Sequence, residues 1–282
     1  LASVFLPSDQ SPQTERDCLH EEIAQALGPL NDLYRVSNTV FNDDDMNGVL
    51  TPYDMLILRM VYSPELRIGM SPEQVRARLP GILKRLNPKG TGYAHSGQSI
   101  SLPWNTLIRG AQNPSGTDQR RIVSAKRALQ LGVDEKLGQP RIAFSMLSHA
   151  RASLARDPQA RINELQHVLH TYTQTLGSDS IQVGKVSREM AYLLFHLGLT
   201  SEAGAFVPTI KKAAQKYQNA ELMFEALHIE ALIAHSNGDV AGHKALVAQA
   251  RGWGLYAFGS IAIVGKIEHQ LGQLAKHRKN AK

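Results

Sequence analysis

One cysteine, Cys18, stands in 282 residues, so no internal disulfide framework exists. It reads either as a small buried residue or as the partner of a cysteine upstream. Aromatic residues reach only 6%, which leaves few platforms for stacking nucleic-acid bases. No run approaches the roughly 18–20 apolar residues that a membrane-spanning helix requires. An initiator Met and a signal-peptide pattern are also missing, so Leu1 is expected to begin a processed or shortened chain. No phosphate-cradling Walker loop, dinucleotide-binding glycine turn or G-x-S-x-G elbow occurs. The eleven histidines show no clustered ligand spacing; His167 and His170, three apart, are expected on a helix surface.

What is present describes an ordinary globular chain, 43% hydrophobic and 20% charged, long enough for two domains with a core each. The net charge of +6 is unevenly spread: residues 1–110 carry 10 Lys+Arg against 12 Asp+Glu, the remainder 21 against 13. A basic second half attracts polyanions in principle. Here its cations are dispersed among helical charge pairs, so a solvated basic surface is expected and nucleic acid is not an expected partner. Lys276 to Lys282 reads as a frayed, soluble tail.

Ala2 to Pro7 reads as a short strand. A first helix is expected over about Glu15–Leu27, with Leu19, Ile23, Ala26 and Leu27 as an apolar stripe and Gly28-Pro29 as its stop. Thr51 before Pro52 marks the N-cap of a second helix, apolar on most faces and therefore expected to be buried. Ser71-Pro72-Glu73 opens a third helix that runs to about Leu86 despite Pro80. Asn87 to Pro103 reads as a linker or long loop. From Asp118 onward only helical segments are expected: 118–132, 140–155, 158–176, 180–197, 200–217, 219–236, 239–252 and 256–277. The breaks at His196–Ala203 and Ser236–His243 are alike and lie 40 residues apart by the numbering, near the period of helix-pair solenoids. The C-terminal region resembles a degenerate tetratricopeptide array. Trp104 and Trp253 are expected in cores.

The first helix carries the most specific pattern. Glu21 and Gln25 lie at i and i+4, Glu22 beside them, Gly28 after, and Asn31-Asp32 in the following turn. This layout resembles the metzincin helix HExxHxxGxxHD, with Glu21, Gln25 and Asn31 at the three former metal-ligand positions and Glu22 at that of the general base. Zinc sites take three such ligands and keep one position open; with the histidines replaced, zinc is not expected. Asn38 to Asn42, with Phe41 where a Met is expected, resembles the turn beneath such a site. Leu50-Thr-Pro-Tyr-Asp54 and Leu58 to Tyr62 resemble the closing helix. The resemblance implies an α+β zincin-like domain over residues 1–105, followed by an all-α helical-repeat (tetratricopeptide-like) domain over 106–282.

The same residues are more similar to a family of proteobacterial proteins catalogued as domain of unknown function 2927. The similarity rests on Cys18-x-x-Glu21-Glu22-Ile23-x-Gln25-Ala26-Leu27-Gly28-Pro29, on Val40 to Asp44, on Leu50-Thr51-x-x-Asp54 and on Arg59, Tyr62, Pro64, Leu66, Gly69 and Met70. It covers about residues 1–90 and implies a lipoprotein-like association with the bacterial periplasm or cell envelope, with membrane contact only through an upstream lipid anchor.

Three functional expectations follow. The leading one is a non-catalytic protein- or peptide-binding protein on a degenerate metallopeptidase frame, its partner held by the helical domain. The alternative is a metal-dependent hydrolase with Glu22 as general base, Glu21 and Asp32 on the metal and a histidine such as His95 from elsewhere. The third concerns Asp43 to Asp54, which fits the calcium-loop pattern with ligands from Asp43, Asp45, Asn47, the Val49 carbonyl and Asp54. Calcium is thus the one cofactor the pattern admits; otherwise this is a polar turn whose Asp residues cap the next helix.

Overall fold

A computed structural model describes residues 3–6, 8–30, 38–42, 46–90, 102–153 and 157–277. Among these the regular elements are helices, with no strand and no sheet. The expected α+β zincin-like domain is therefore corrected: residues 3–6 form no strand, and a zincin helix without a sheet behind it has no zincin frame. The short apolar stretch read as a strand has no second strand among the described residues to pair with. The chain divides into two compact units: Leu1–Leu6 with Arg16–Ile100, and Pro7–Glu15 with Ser101–Lys282.

In the first unit, helix α1 (Pro12–Ala26, of which Pro12–Glu15 belong to the second unit) ends at Gly28, whose φ of 147° suits glycine alone. Helix α2 (Pro52–Val61) and helix α3 (Pro72–Leu86) follow, then a 3-10 turn at Pro88–Gly90. Both helices start with capping boxes. Thr51 accepts from Asp54 N while the Asp54 carboxylate accepts from Thr51 N (2.7 Å), and Ser71 and Gln74 do the same for α3. Pro80 is accommodated within α3.

The core of this unit is small: Ala24, Val40 and Phe41, with Leu50, Ile57 and Leu58 against them. Two expectations about its faces are corrected. Ala24 is the α1 residue buried here, whereas Leu19, Ile23 and Leu27 are exposed. Asp54 is the only buried residue of α2. Its apolar side chains Ile57 and Leu58 are only partly covered, packed at the edge of this cluster. Asp54 has no exposed area and accepts from Thr39 Oγ1, Val40 N and Thr51 N. One carboxylate thus holds the segment before α2 and the start of α2 together.

The second unit is an antiparallel helix array: α4 (Leu102–Gln112), α5 (Asp118–Asp134), α6 (Gln139–Ala152), α7 (Pro158–Leu176), α8 (Ile181–His196), α9 (Thr200–Ala205), α10 (Val207–Lys216), α11 (Ala220–Ser236), α12 (Val240–Phe258) and α13 (Ile261–His277). Sequence reasoning missed α4, hidden behind Pro103 near its start. It also expected one helix over 200–217, which instead breaks at Phe206 before Pro208. The expected break near residues 253–255 is absent: α12 runs through Gly252 and Gly254, because Gly254 lies where a Cβ would come within 2.9 Å of the Phe224 ring. Gly184 on α8 is similarly pressed against Ala213 on α10.

The apolar core centres on Ile210, Phe224, Leu227 and Ile229. Trp104 is buried and its indole N–H donates to Ser145 Oγ (3.0 Å), with Arg141 over the ring. Trp253, expected in a core, is 43% exposed. The start of α11 is capped twice. Asn219 accepts from Leu222 N, and the buried Gln13 side-chain oxygen Oε1 accepts from Ala220 N (2.7 Å) and Glu221 N (3.0 Å). Three amides that a helix start leaves without partners are thereby satisfied.

Candidate recognition face

The sequence-derived site residues scatter. On α1, Glu21 and Gln25 do come together, the Gln25 amide donating to Glu21 Oε1 at 3.4 Å, and Glu22 is exposed beside them. Cys18 is half-buried on the same helix. Asn31, Asp32, Asp43, Asp45 and His95 lie outside the described residues. Asn47 keeps its amide oxygen and nitrogen buried with no hydrogen-bond partner among the described residues. Val49 is half-buried. The three bonds to Asp54 favour the capping alternative for that residue. Gly48, the turn glycine of the loop pattern, has a steric reason of its own: a Cβ there collides with the Asp17 carboxylate. Among the described residues no group of three His, Cys, Asp or Glu is placed to hold one metal ion.

A different constellation appears in the second unit. Alternate helices on one side touch one another, α4 with α6, α8 with α11 and α11 with α13. Helix α8 is the most enclosed member. Its only residues that reach solvent are Lys185, Arg188, Glu189, Tyr192 and His196, a spacing of three, four and seven that stacks them on one face. Every one carries a polar group.

From this strip an ionic ladder crosses three helices. Arg151 of α6 donates through Nε (2.8 Å) and a terminal nitrogen (2.6 Å) to Glu189 Oε1 on α8. Arg188 lies 3.6 Å from that same oxygen and donates to Glu225 of α11 at 2.7 Å. Burial pulls Arg188 down, but the carboxylates of Glu225 and Glu189 outweigh it and its pKa is raised. For Glu225 burial comes first, and it is held above the ordinary carboxylate value despite Arg188. Removing one member leaves a half-buried partner charge uncompensated, a loss smaller than that of a fully buried pair.

Other polar groups beside the ladder are left open. The Tyr192 hydroxyl is buried with no hydrogen-bond partner, and burial raises its pKa. Arg161, near the start of α7, has a buried Nε without an acceptor among the described residues. Its pKa is lowered by burial first; Glu189 opposes that shift and Arg151 adds to it. Further along, His228 of α11 is buried, its Nδ1 unpartnered. Burial pushes it down to about 4, against Glu268 and with His243.

These charges were expected to be solvated; Arg151 and Arg188 reach between helices instead. The signal was present in the numbering: the ladder partners lie 38 and 37 residues apart, close to the 40-residue spacing of the two similar breaks. The array is thus a helical repeat whose charged side chains pair across one repeat.

The two units together define an all-helical protein in which a small capped helical unit accompanies a longer helical repeat. Residues 1–81 match the family model described as Protein of unknown function (DUF2927), in agreement with the resemblance carried by the α1 and Leu50–Asp54 motifs. The matched stretch includes Pro7–Glu15, which packs with the second unit. No curated protein and no solved structure matches the chain.

Proposed function

We propose that the chain is a non-catalytic protein- or peptide-binding protein of the bacterial envelope. It engages its partner along the α6–α8–α11 face, in the manner of a tetratricopeptide-like array. The observation that carries this reading is the α8 strip. A helix sealed on every other side opens to solvent along one line, and that line presents fixed polar groups held in place by the ladder. Pre-ordered side chains lose little freedom on binding, which favours recognition. The envelope location rests on the family resemblance; no helix among the described residues is long and apolar enough to cross a membrane.

The test places a photo-crosslinking residue at Lys185 on the strip and, separately, at the exposed His167 on α7, in cells producing the full chain. A discrete adduct from position 185 alone, competed away by unmodified protein, is the expected result. Equal adducts from both positions, or none from 185, overturn the reading.

A further inference from the structure

We infer that His235 and His243, whose rings meet beside the α11–α12 turn, bind one divalent transition-metal ion of the copper, nickel or zinc class. The site stands apart from the α8 strip and does not depend on the partner proposed there.

The backbone that carries both rings is fixed by its own hydrogen bonds. Gly238, with a φ of 80°, donates to His235 O (3.1 Å), and Asp239 N donates to Ala234 O (2.9 Å). These are the paired bonds that close a helix on a glycine. Asp239 then caps α12, its Oδ1 accepting from Gly242 N (2.8 Å), and a Cβ on Gly242 would collide with that carboxylate. On this hairpin His235 occupies the last turn of α11 and His243 the first turn of α12. Their ring centres lie 5.1 Å apart, with the planes tilted by 51°.

A second contact fixes the state of one ring. His243 Nδ1 lies 2.9 Å from the Ala231 carbonyl oxygen. A carbonyl only accepts, so Nδ1 carries the proton and Nε2 of the neutral ring holds the open lone pair. Metal-ligating histidines are oriented in this way, through the nitrogen that does not meet the ion. His235 is exposed and His243 half-buried, so both rings are reached from solvent. An ion about 2.1 Å from a ring nitrogen stands roughly 3.2 Å from that ring's centre. Two centres 5.1 Å apart then subtend about 105° at a shared ion, close to the tetrahedral angle. Water completes the coordination, because no third ligating side chain joins the pair among the described residues. Imidazole ligands alone favour late transition ions over calcium or magnesium. Bound there, the ion ties α11 to α12 and stabilises the folded hairpin by mass action.

The experiment titrates Cu2+, Ni2+ and Zn2+ separately into the full chain, prepared without a polyhistidine tag, by isothermal calorimetry. One saturable equivalent per chain is expected for at least one of the three, and the order of affinities identifies the ion. His235→Gln and His243→Gln each weaken it about tenfold or more, since even outer-shell partners of a metal contribute that much. Changing His167 and His170 on α7 together to Gln leaves it unchanged. Electron paramagnetic resonance of the Cu2+ form shows two coordinated ring nitrogens, falling to one in His235→Gln. Tryptophan fluorescence verifies that each variant is folded. If His243→Gln, which alters the contact with Ala231, is not folded, the exposed His235→Gln carries the test. No stoichiometric ion, full affinity retained in folded His235→Gln, or an equivalent lost with His167 and His170 instead overturns the site.

Discussion

Around Asp54 three donors from two segments converge on one carboxylate. Along α6, α8 and α11, four charged side chains divide the same task pairwise over three helices. Among its described residues the first unit has a small apolar cluster, leaves Leu19, Ile23, Leu27, Met55 and Ile68 exposed, and joins its segments through two polar nodes, Asp54 and the Ser63–Glu65–Arg85 group. The second buries a broad apolar cluster and adds its ionic pairs on top. A unit with few nodes is sensitive at few residues, and Asp54, the buried one, is the first of them. A unit with a distributed core is sensitive wherever its packing is tight.

The sharpest way to break this contrast is Asp54→Ala. It leaves three buried or half-buried donors without an acceptor and is expected to cost the first unit about 4 kcal/mol. Amide hydrogen exchange followed peptide by peptide reads the loss across residues 38–62. The tryptophan transition is the control, because both tryptophans, Trp104 and Trp253, belong to the second unit. Loss of protection in the second unit equal to that in the first would erase the distinction.

His228 comes next. Its folded-state value of about 4 lies below the ordinary 6.5, so the fold favours the neutral ring. That contribution is complete above about pH 6.5 and is lost as pH falls toward 4, a change of about 3 kcal/mol at most. Urea unfolding followed by tryptophan fluorescence at pH 7.5 and 4.5 measures it, and His228→Asn is expected to flatten that limb of the profile.

The smallest effect compares two helix glycines. Gly184→Ala gains helix propensity but drives a methyl into Ala213. Overpacking of about 1–3 kcal/mol exceeds a propensity gain of about 1 kcal/mol, so net destabilisation is expected. Gly81→Ala on α3 has nothing within 4 Å and is expected to stabilise by about 0.5–1 kcal/mol. Thermal unfolding of the second unit and hydrogen exchange of α3 read the two signs.

Local chemistry was legible where it was strictly local. Thr51-Pro52-x-Asp54, Ser71-Pro72 and Gly28-Pro29 each announce a helix end, and each does so in the structure. Leu19, Ile23 and Leu27 show the limit of periodicity. A stripe says which residues share a face, and the available core decides whether that face is covered. The sheet was inferred from a motif layout whose Leu50–Asp54 segment is a capping box, a local device that many folds use. The ladder escaped notice because Arg188 and Glu189 look like ordinary helix-surface charges. Their partners lie one repeat away, a distance at which only the fold reveals pairing.

Gln13 bears on how the molecule can be taken apart. A gene fragment starting at residue 101 is the obvious way to express the helical repeat by itself. That fragment lacks the carbonyl that receives Ala220 N and Glu221 N, and it uncovers Gly259, against which Ser11 packs. The folding unit is discontinuous in the gene. A faithful excision needs residues 7–15 grafted back through a new connection, because the helical repeat borrows its last fitting from a stretch that precedes the first unit's helices in the chain.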